Sequence, residues 1–305
     1  MQFYRLIAGI LVLFLSTCSR EPEPSDRLNV FVSIQPMRYF AERVGGEHAE
    51  VSVLVGPGES PETFEPMPRQ MMDLGQADVF FRIGVPFEEA WIGRISENNP
   101  SLRICDLREG IALEPVRTFA EITAEAENFT TERHEEHPQE GLDPHIWLSP
   151  RLVKTQAETI CDVLSELDPA NREAYRANLA VFQSDLDRLS ADIASLFERL
   201  AVKKMLVFHP AWGYFAREFG LTQLPVEIEG REPGPRELAS IIDIARRERI
   251  QAIFVQSQFT GASANAVAEA IGGRVATIDP LAENYIENLR DVAQTIYTTL
   301  SGERP

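Results

Sequence analysis

The chain has 305 residues, with 47 acidic and 29 basic side chains and a formal net charge of −18. So large a negative excess repels phosphate backbones and argues against nucleic acid as a partner. Three cysteines, one of them at position 18, make no disulfide framework.

The chain opens MQFYRLIAGILVLFLSTC, a single positive charge at Arg5 followed by an unbroken apolar run from Leu6 to Leu15. That run is about half of the roughly 20 residues a membrane-spanning helix needs, so residues 1–17 are predicted to be a secretory signal. Cys18 follows Leu15-Ser16-Thr17, which resembles a bacterial lipoprotein signal, although Thr17 stands where Gly, Ala or Ser is usual. Lipidation of Cys18 and plain cleavage both stay open. Residues 18–27 are polar and proline-rich, as a tether would be. The expected location is the periplasm or the outer face of the cell membrane, with the membrane touched only through a lipid anchor.

About 280 residues remain, enough for two domains. Short β-like runs alternate with helical patterns: LNVFVSI, VSVLVG, DVFFRIG and RICDL in the first half, then KMLVFH, LPVEI, AIFVQSQF and RVATID in the second. This alternation predicts an α/β fold of two lobes with largely parallel sheets. Between them Tyr175, Leu179, Phe182, Leu186, Leu189, Ile193, Leu196 and Leu200 form one apolar seam, with Asp168 and Pro169 placed as N-cap and first helical residue. The spacing predicts one long rigid helix, about 32 residues and near 48 Å, joining the lobes. The expected organisation is an N-terminal lobe at 28–167, the linking helix at 168–200 and a C-terminal lobe at 201–305. Cys105 and Cys161, amid apolar neighbours, read as small core side chains, and whether they pair is open.

Residues 116–142 are highly charged and show little periodicity after Ile122. His134 and His137 stand three apart there among glutamates, a possible auxiliary metal loop, although a solvated loop is the simpler reading. Elsewhere, residues 56–68 read GPGESPETFEPMP, where prolines and glycines suit a loop of fixed shape that carries Glu62. His145 lies in DPHIWLSP at the edge of an apolar segment. His209 ends KMLVFH and Asp279 ends RVATID, each with proline next.

In parallel α/β sheets, residues just past the strands' carboxyl ends line the ligand crevice, so Glu62, His145, His209 and Asp279 are expected to converge between the lobes. Imidazole and carboxylate suit a first-row divalent metal. Each residue also has an ordinary alternative: a core histidine, an Asp that starts a turn, a solvated glutamate.

Several segments then match one family in order: FVSIQPMRYFAERVGGEHAEVSVLVGPGESPETFEP, GVPFEEAW, DPHIWLSPRLVK, DPANREAYRANL, FHPAWGYFAREFGL, EPGPRELASII, IFVQSQF and IDPLAENY. Over nearly its whole mature length the chain resembles the solute-binding proteins of zinc and manganese ABC importers, the cluster A-I or ZnuA/TroA-like family. The resemblance implies a non-enzymatic, monomeric extracytoplasmic receptor that holds a divalent metal in the interlobe cleft and delivers it to a permease with its ATPase. It also implies that His145 is the second histidine ligand, His209 the third ligand and Asp279 the carboxylate from the second lobe. Glu62 departs from the pattern, because zinc-binding relatives usually carry histidine there.

Glu62 could bind the metal directly, leave the ion with fewer protein ligands plus water, or mark altered metal binding. The first reading is adopted, since the fixed loop aims the side chain into the cleft and carboxylate is a competent ligand; Glu59 and Glu65 stand nearby as substitutes. Family frequency and intrinsic affinity put Zn²⁺ first, with Mn²⁺ or Fe²⁺ as alternatives. The rival functions are a metal-dependent hydrolase and an adhesion or metal-storage lipoprotein.

Overall fold

The computed structural model describes residues 27–119, 121, 141–228, 230–256 and 262–302. The signal segment, Cys18, the tether up to residue 26, and His134 with His137 lie outside the described residues.

The first half builds a sheet from β1 (Leu28–Val32), β2 (Ala49–Val53), β3 (Val79–Arg82) and β4 (Arg103–Asp106), ordered β2-β1-β3-β4 with every pairing parallel. Helices α1 (Gln35–Gly45), α2 (Pro68–Leu74) and α3 (Pro86–Asn98) follow the first three strands. The second half repeats the plan with β5 (Lys204–Val207), β6 (Thr222–Pro225), β7 (Ala252–Val255) and β8 (Arg274–Thr277), ordered β6-β5-β7-β8 and again all parallel. Eight predicted runs thus become eight strands, and the central β1, β3, β5 and β7 are mostly buried because a parallel strand covered on both faces needs a near-continuous apolar sequence.

Between the sheets run α4 (Pro150–Leu167) and α5 (Arg172–Glu198), packed side by side. Ser149 caps α4, its side-chain oxygen accepting from the Leu152 N–H at 3.3 Å, with Pro150 at the first helical position. The linking helix opens where Asp168 and Pro169 predict, but its first turn is not α-helical. Residues Pro169–Asn171 form a 3₁₀ turn, leaving α5 with 27 residues, about 40 Å long. Asp168 does not cap the backbone with its side chain; that carboxylate accepts from Asn171 Nδ2 at 2.7 Å and Tyr175 Oη at 2.8 Å. Tyr175, Phe182, Leu186, Leu189 and Ile193 are buried as the seam requires, joined by Phe197, which the seam omitted.

The second sheet divides its side chains between two cores. Met205 and Val207 of β5 face the large core shared with the first sheet and α5, whereas Leu206 and Phe208 face a smaller one under α7 (Pro235–Arg247) and α8 (Ala262–Ala270). The short helix α6 (Gly213–Glu218) follows β5. Although α9 (Tyr285–Ser301) comes last in sequence, it packs on α5, and its Tyr285 ring meets Phe40 of α1 edge-on, with centroids 4.8 Å apart. A shared core and a helix that crosses between halves tie the lobes together more firmly than one linking helix alone. Cys105 and Cys161 are both free and buried, so they do not pair. No described helix is long and apolar enough to cross a membrane.

Candidate metal centre

The loop after β2 owes its shape to local chemistry. Glu59 N–H bonds to the Gly56 carbonyl at 3.2 Å across Pro57-Gly58, and Gly58 has φ of 80°, the arrangement of a type II turn that needs glycine at its third position. Glu59 Oε2 accepts from the Gly56 N–H at 2.7 Å, so that carboxylate closes the turn. Pro61, Phe64 and Pro66 are buried, and Phe64 meets Phe87 of α3 edge-on at 5.0 Å. Glu62 is thereby left as the carboxylate of this loop that lines the cavity, beside Ser60 and Pro61, more than a third exposed and bonded to the Ser60 hydroxyl. Neither Glu59 nor Glu65 joins the metal-binding cluster.

His145 precedes the 3₁₀ turn Ile146–Leu148, and its Nδ1 donates to Asp143 Oδ1 at 2.7 Å. The same oxygen accepts the His145 backbone N–H at 3.0 Å. His209 follows β5, and its Nδ1 donates to Glu227 Oε2 at 2.5 Å, a buried carboxylate just past β6. A carboxylate only accepts, so each imidazole carries a proton on Nδ1, and in the neutral ring that makes Nε2, which faces the other histidine, the acceptor nitrogen. These two Nε2 atoms lie 3.3 Å apart, with Glu62 Oε1 at 3.5 Å from that of His209. Two acceptor nitrogens and a carboxylate oxygen, all within 4.8 Å of one another, repel until a cation enters among them.

The surrounding cavity of about 20 Å³ is lined by side chains from both halves, including Val85, Trp147, Gln256 and Pro280. Its volume suits one water-sized occupant. Trp147 Nε1 donates to the Pro280 carbonyl at 2.8 Å, a buried bond between the halves that fixes the cavity wall. In the first half, Glu88 accepts the Ile83 and Gly84 N–H groups at 2.9 and 2.7 Å, holding the turn before Val85 and Pro86. Burial pushes the Glu88 carboxyl above its ordinary range, although those bonds act the other way.

Three of the four expected residues therefore come together, and Asp279 does not join them. Its Oδ1 accepts the Leu281 N–H at 2.9 Å, the turn-starting role open to an Asp before proline, and its neighbours Pro280 and Leu281 line the cavity instead. Asp143, Glu227 and Gln256 were not singled out from the sequence. Glu227 and Gln256 follow strand-like runs, so the rule that singled out His209 applies to them too; Asp143 stands two residues before a histidine across a proline, the spacing of a side-chain turn.

The family model described as zinc-uptake complex component A, periplasmic (ZnuA), matches residues 30–299. The chain belongs to the ZnuA family. This is a family of solute-binding proteins rather than enzymes. A crystal structure of ZnuA is 39% identical with a TM-score of 0.81, covering 90% of this chain and all of that one. The zinc-bound AdcAII mutant variant of Streptococcus pneumoniae is 25% identical with a TM-score of 0.77, covering 91% of this chain and all of its own. Among curated relatives, the zinc-binding lipoprotein AdcA of Streptococcus pneumoniae is 25% identical over 95% of this chain. This chain spans only 60% of that relative's length, so AdcA has further sequence outside the match. A putative metal-binding protein of Chlamydia trachomatis is 26% identical over 95% of this chain and 98% of its own length.

Proposed function

We propose that the protein captures a divalent transition metal, Zn²⁺ first, between His145, His209 and Glu62 and delivers it to the permease and ATPase of an ABC importer outside the cytoplasm. The observation that carries this reading is the meeting of two imidazole Nε2 atoms and one carboxylate oxygen within 4.8 Å, both imidazoles backed by carboxylates. Such backing fixes the tautomer and raises the basicity of the ligand. Two nitrogens and one oxygen suit zinc, while the carboxylate leaves Mn²⁺ and Fe²⁺ as weaker competitors in the Irving–Williams order.

Asp279 is proposed as a fourth ligand, turning from the Leu281 amide when the ion arrives. Capture needs little motion, because the two imidazoles already face each other and the halves share one core. A lipid anchor at Cys18 and a monomeric state belong to the same proposal.

Calorimetry on the metal-stripped mature protein tests it, with Zn²⁺ against Mn²⁺. Tight 1:1 Zn²⁺ binding that Glu62→Ala weakens strongly is expected, and no binding of either ion overturns the reading. Delivery is tested by zinc uptake in cells that carry the importer with and without this gene.

A further inference from the structure

The cavity holds one polar side chain that the proposed ligand set does not use. β5 and β7 pair Val207 with Phe254, and two residues further along each strand stand His209 and Gln256. Both stand just past their strand ends, where the ligand crevice of a parallel sheet lies, and both line the cavity. Gln256 is 6% exposed and lines the cavity. Among the described residues that line this cavity, Gln256 Nε2 is a buried side-chain atom without a hydrogen-bond partner. A buried N–H without an acceptor destabilises the metal-free chain.

Resting on the receptor reading above, we propose that Gln256 Nε2–H donates to the oxygen that completes the metal's coordination shell. Two neutral imidazoles and one carboxylate leave a divalent ion with net positive charge and, in a tetrahedral shell, one open position. An oxygen ligand there carries partial or full negative charge, and a carboxamide N–H stabilises it without competing for the ion. The oxygen has two sources, the Asp279 carboxylate or a water. Gln256 is thus a positioning and specificity residue, because it favours an oxygen ligand held at one angle.

Co²⁺, whose visible absorption reports coordination, serves as the probe beside Zn²⁺ on the metal-stripped protein. Gln256→Leu and the longer Gln256→Met are each expected to weaken both ions about tenfold, as loss of an outer-shell partner does, and to shift the Co²⁺ spectrum. The metal-free Tm should stay equal or rise, since the orphaned donor is gone. An unchanged spectrum with affinity within about twofold overturns the proposal, as does a lower metal-free Tm with no spectral change. In combination with Asp279→Ala, Gln256→Leu adds no further loss if Asp279 supplies the oxygen, and adds its full loss if water does. Failure of the unsubstituted protein to bind Co²⁺ or Zn²⁺ would instead sink the receptor reading itself.

Discussion

The two sheets share one strand order and one direction of pairing, yet they support the cavity by different means. The second half brings His209 straight from the end of β5 and backs it with Glu227 from the end of β6, both nearly buried. The first half offers Glu62 from a loop nine residues beyond β2, more than a third exposed, with the Ser60 hydroxyl as partner. One side is pre-positioned by hydrogen bonds inside a packed core, the other by two prolines and a glycine turn. The loop ligand should consequently tolerate substitution better than the strand-end ligand, even though the lobes look alike.

Removing an imidazole should have the largest effect. His209→Ala and His145→Ala are each expected to lower Zn²⁺ affinity by more than about a hundredfold, beyond what loss of an outer-shell partner costs, as read by competition with a chelating dye. Glu62→Ala should cost about ten- to a hundredfold, and Glu62→His should recover zinc binding while lowering the Mn²⁺ share, because nitrogen replaces oxygen. If Glu62→Ala proves as harmful as His209→Ala, the contrast between the halves disappears.

Glu227→Gln tests the backing directly. It keeps the shape but replaces the acceptor with a group that can favour the other imidazole tautomer, so a loss of about tenfold is expected, with the metal-free Tm hardly changed. Asp143→Asn should behave alike, and a null result at both positions would leave the imidazoles oriented by packing alone.

The smallest effect concerns the edge of the first sheet, where Asp106 receives Arg82 at 2.7 Å and Arg108 at its second oxygen at 2.9 Å. Burial raises the Asp106 carboxyl, but hydrogen bonds from the Arg108 side chain and backbone and from Arg82 outweigh it and hold the group at about 2 against an ordinary 3.8. Because the folded value is the lower one, the stabilisation is complete above about pH 4 and fades as pH falls toward 2. Asp106→Asn should cost about 1 to 2 kcal/mol at neutral pH and flatten the acid limb of a Tm-against-pH curve. An unchanged acid limb would show that other carboxylates set it.

Most of the scaffold was legible without coordinates. The apolar runs mark all eight strands, and proline at the first helical position marks the starts of α2, α3, α4 and α7 at Pro68, Pro86, Pro150 and Pro235. Such signals depend on backbone dihedrals and burial, which a few consecutive residues encode. The family was legible differently, from several segments matching in order, and of the four residues expected at the cleft Glu62, His145 and His209 come together. The placement of Asp279 is different: the sequence puts it at a strand end, but its carboxylate engages the Leu281 amide, a choice between turn and cavity made by local geometry.

By itself the sequence determined two largely parallel sheets, a long helix between them and four ligand candidates, Glu62, His145, His209 and Asp279, of which three meet. Only the tertiary structure decided that α9 crosses back to Phe40, that Asp143 and Glu227 stand behind the imidazoles, and that Gln256 joins His209 in the cavity wall with its N–H unmet among the described residues. The reason is physical: strand and helix patterns repeat every two or 3.6 residues and are local, whereas a hydrogen bond between His209 and Glu227, 18 residues apart, exists only once packing brings two strand ends side by side.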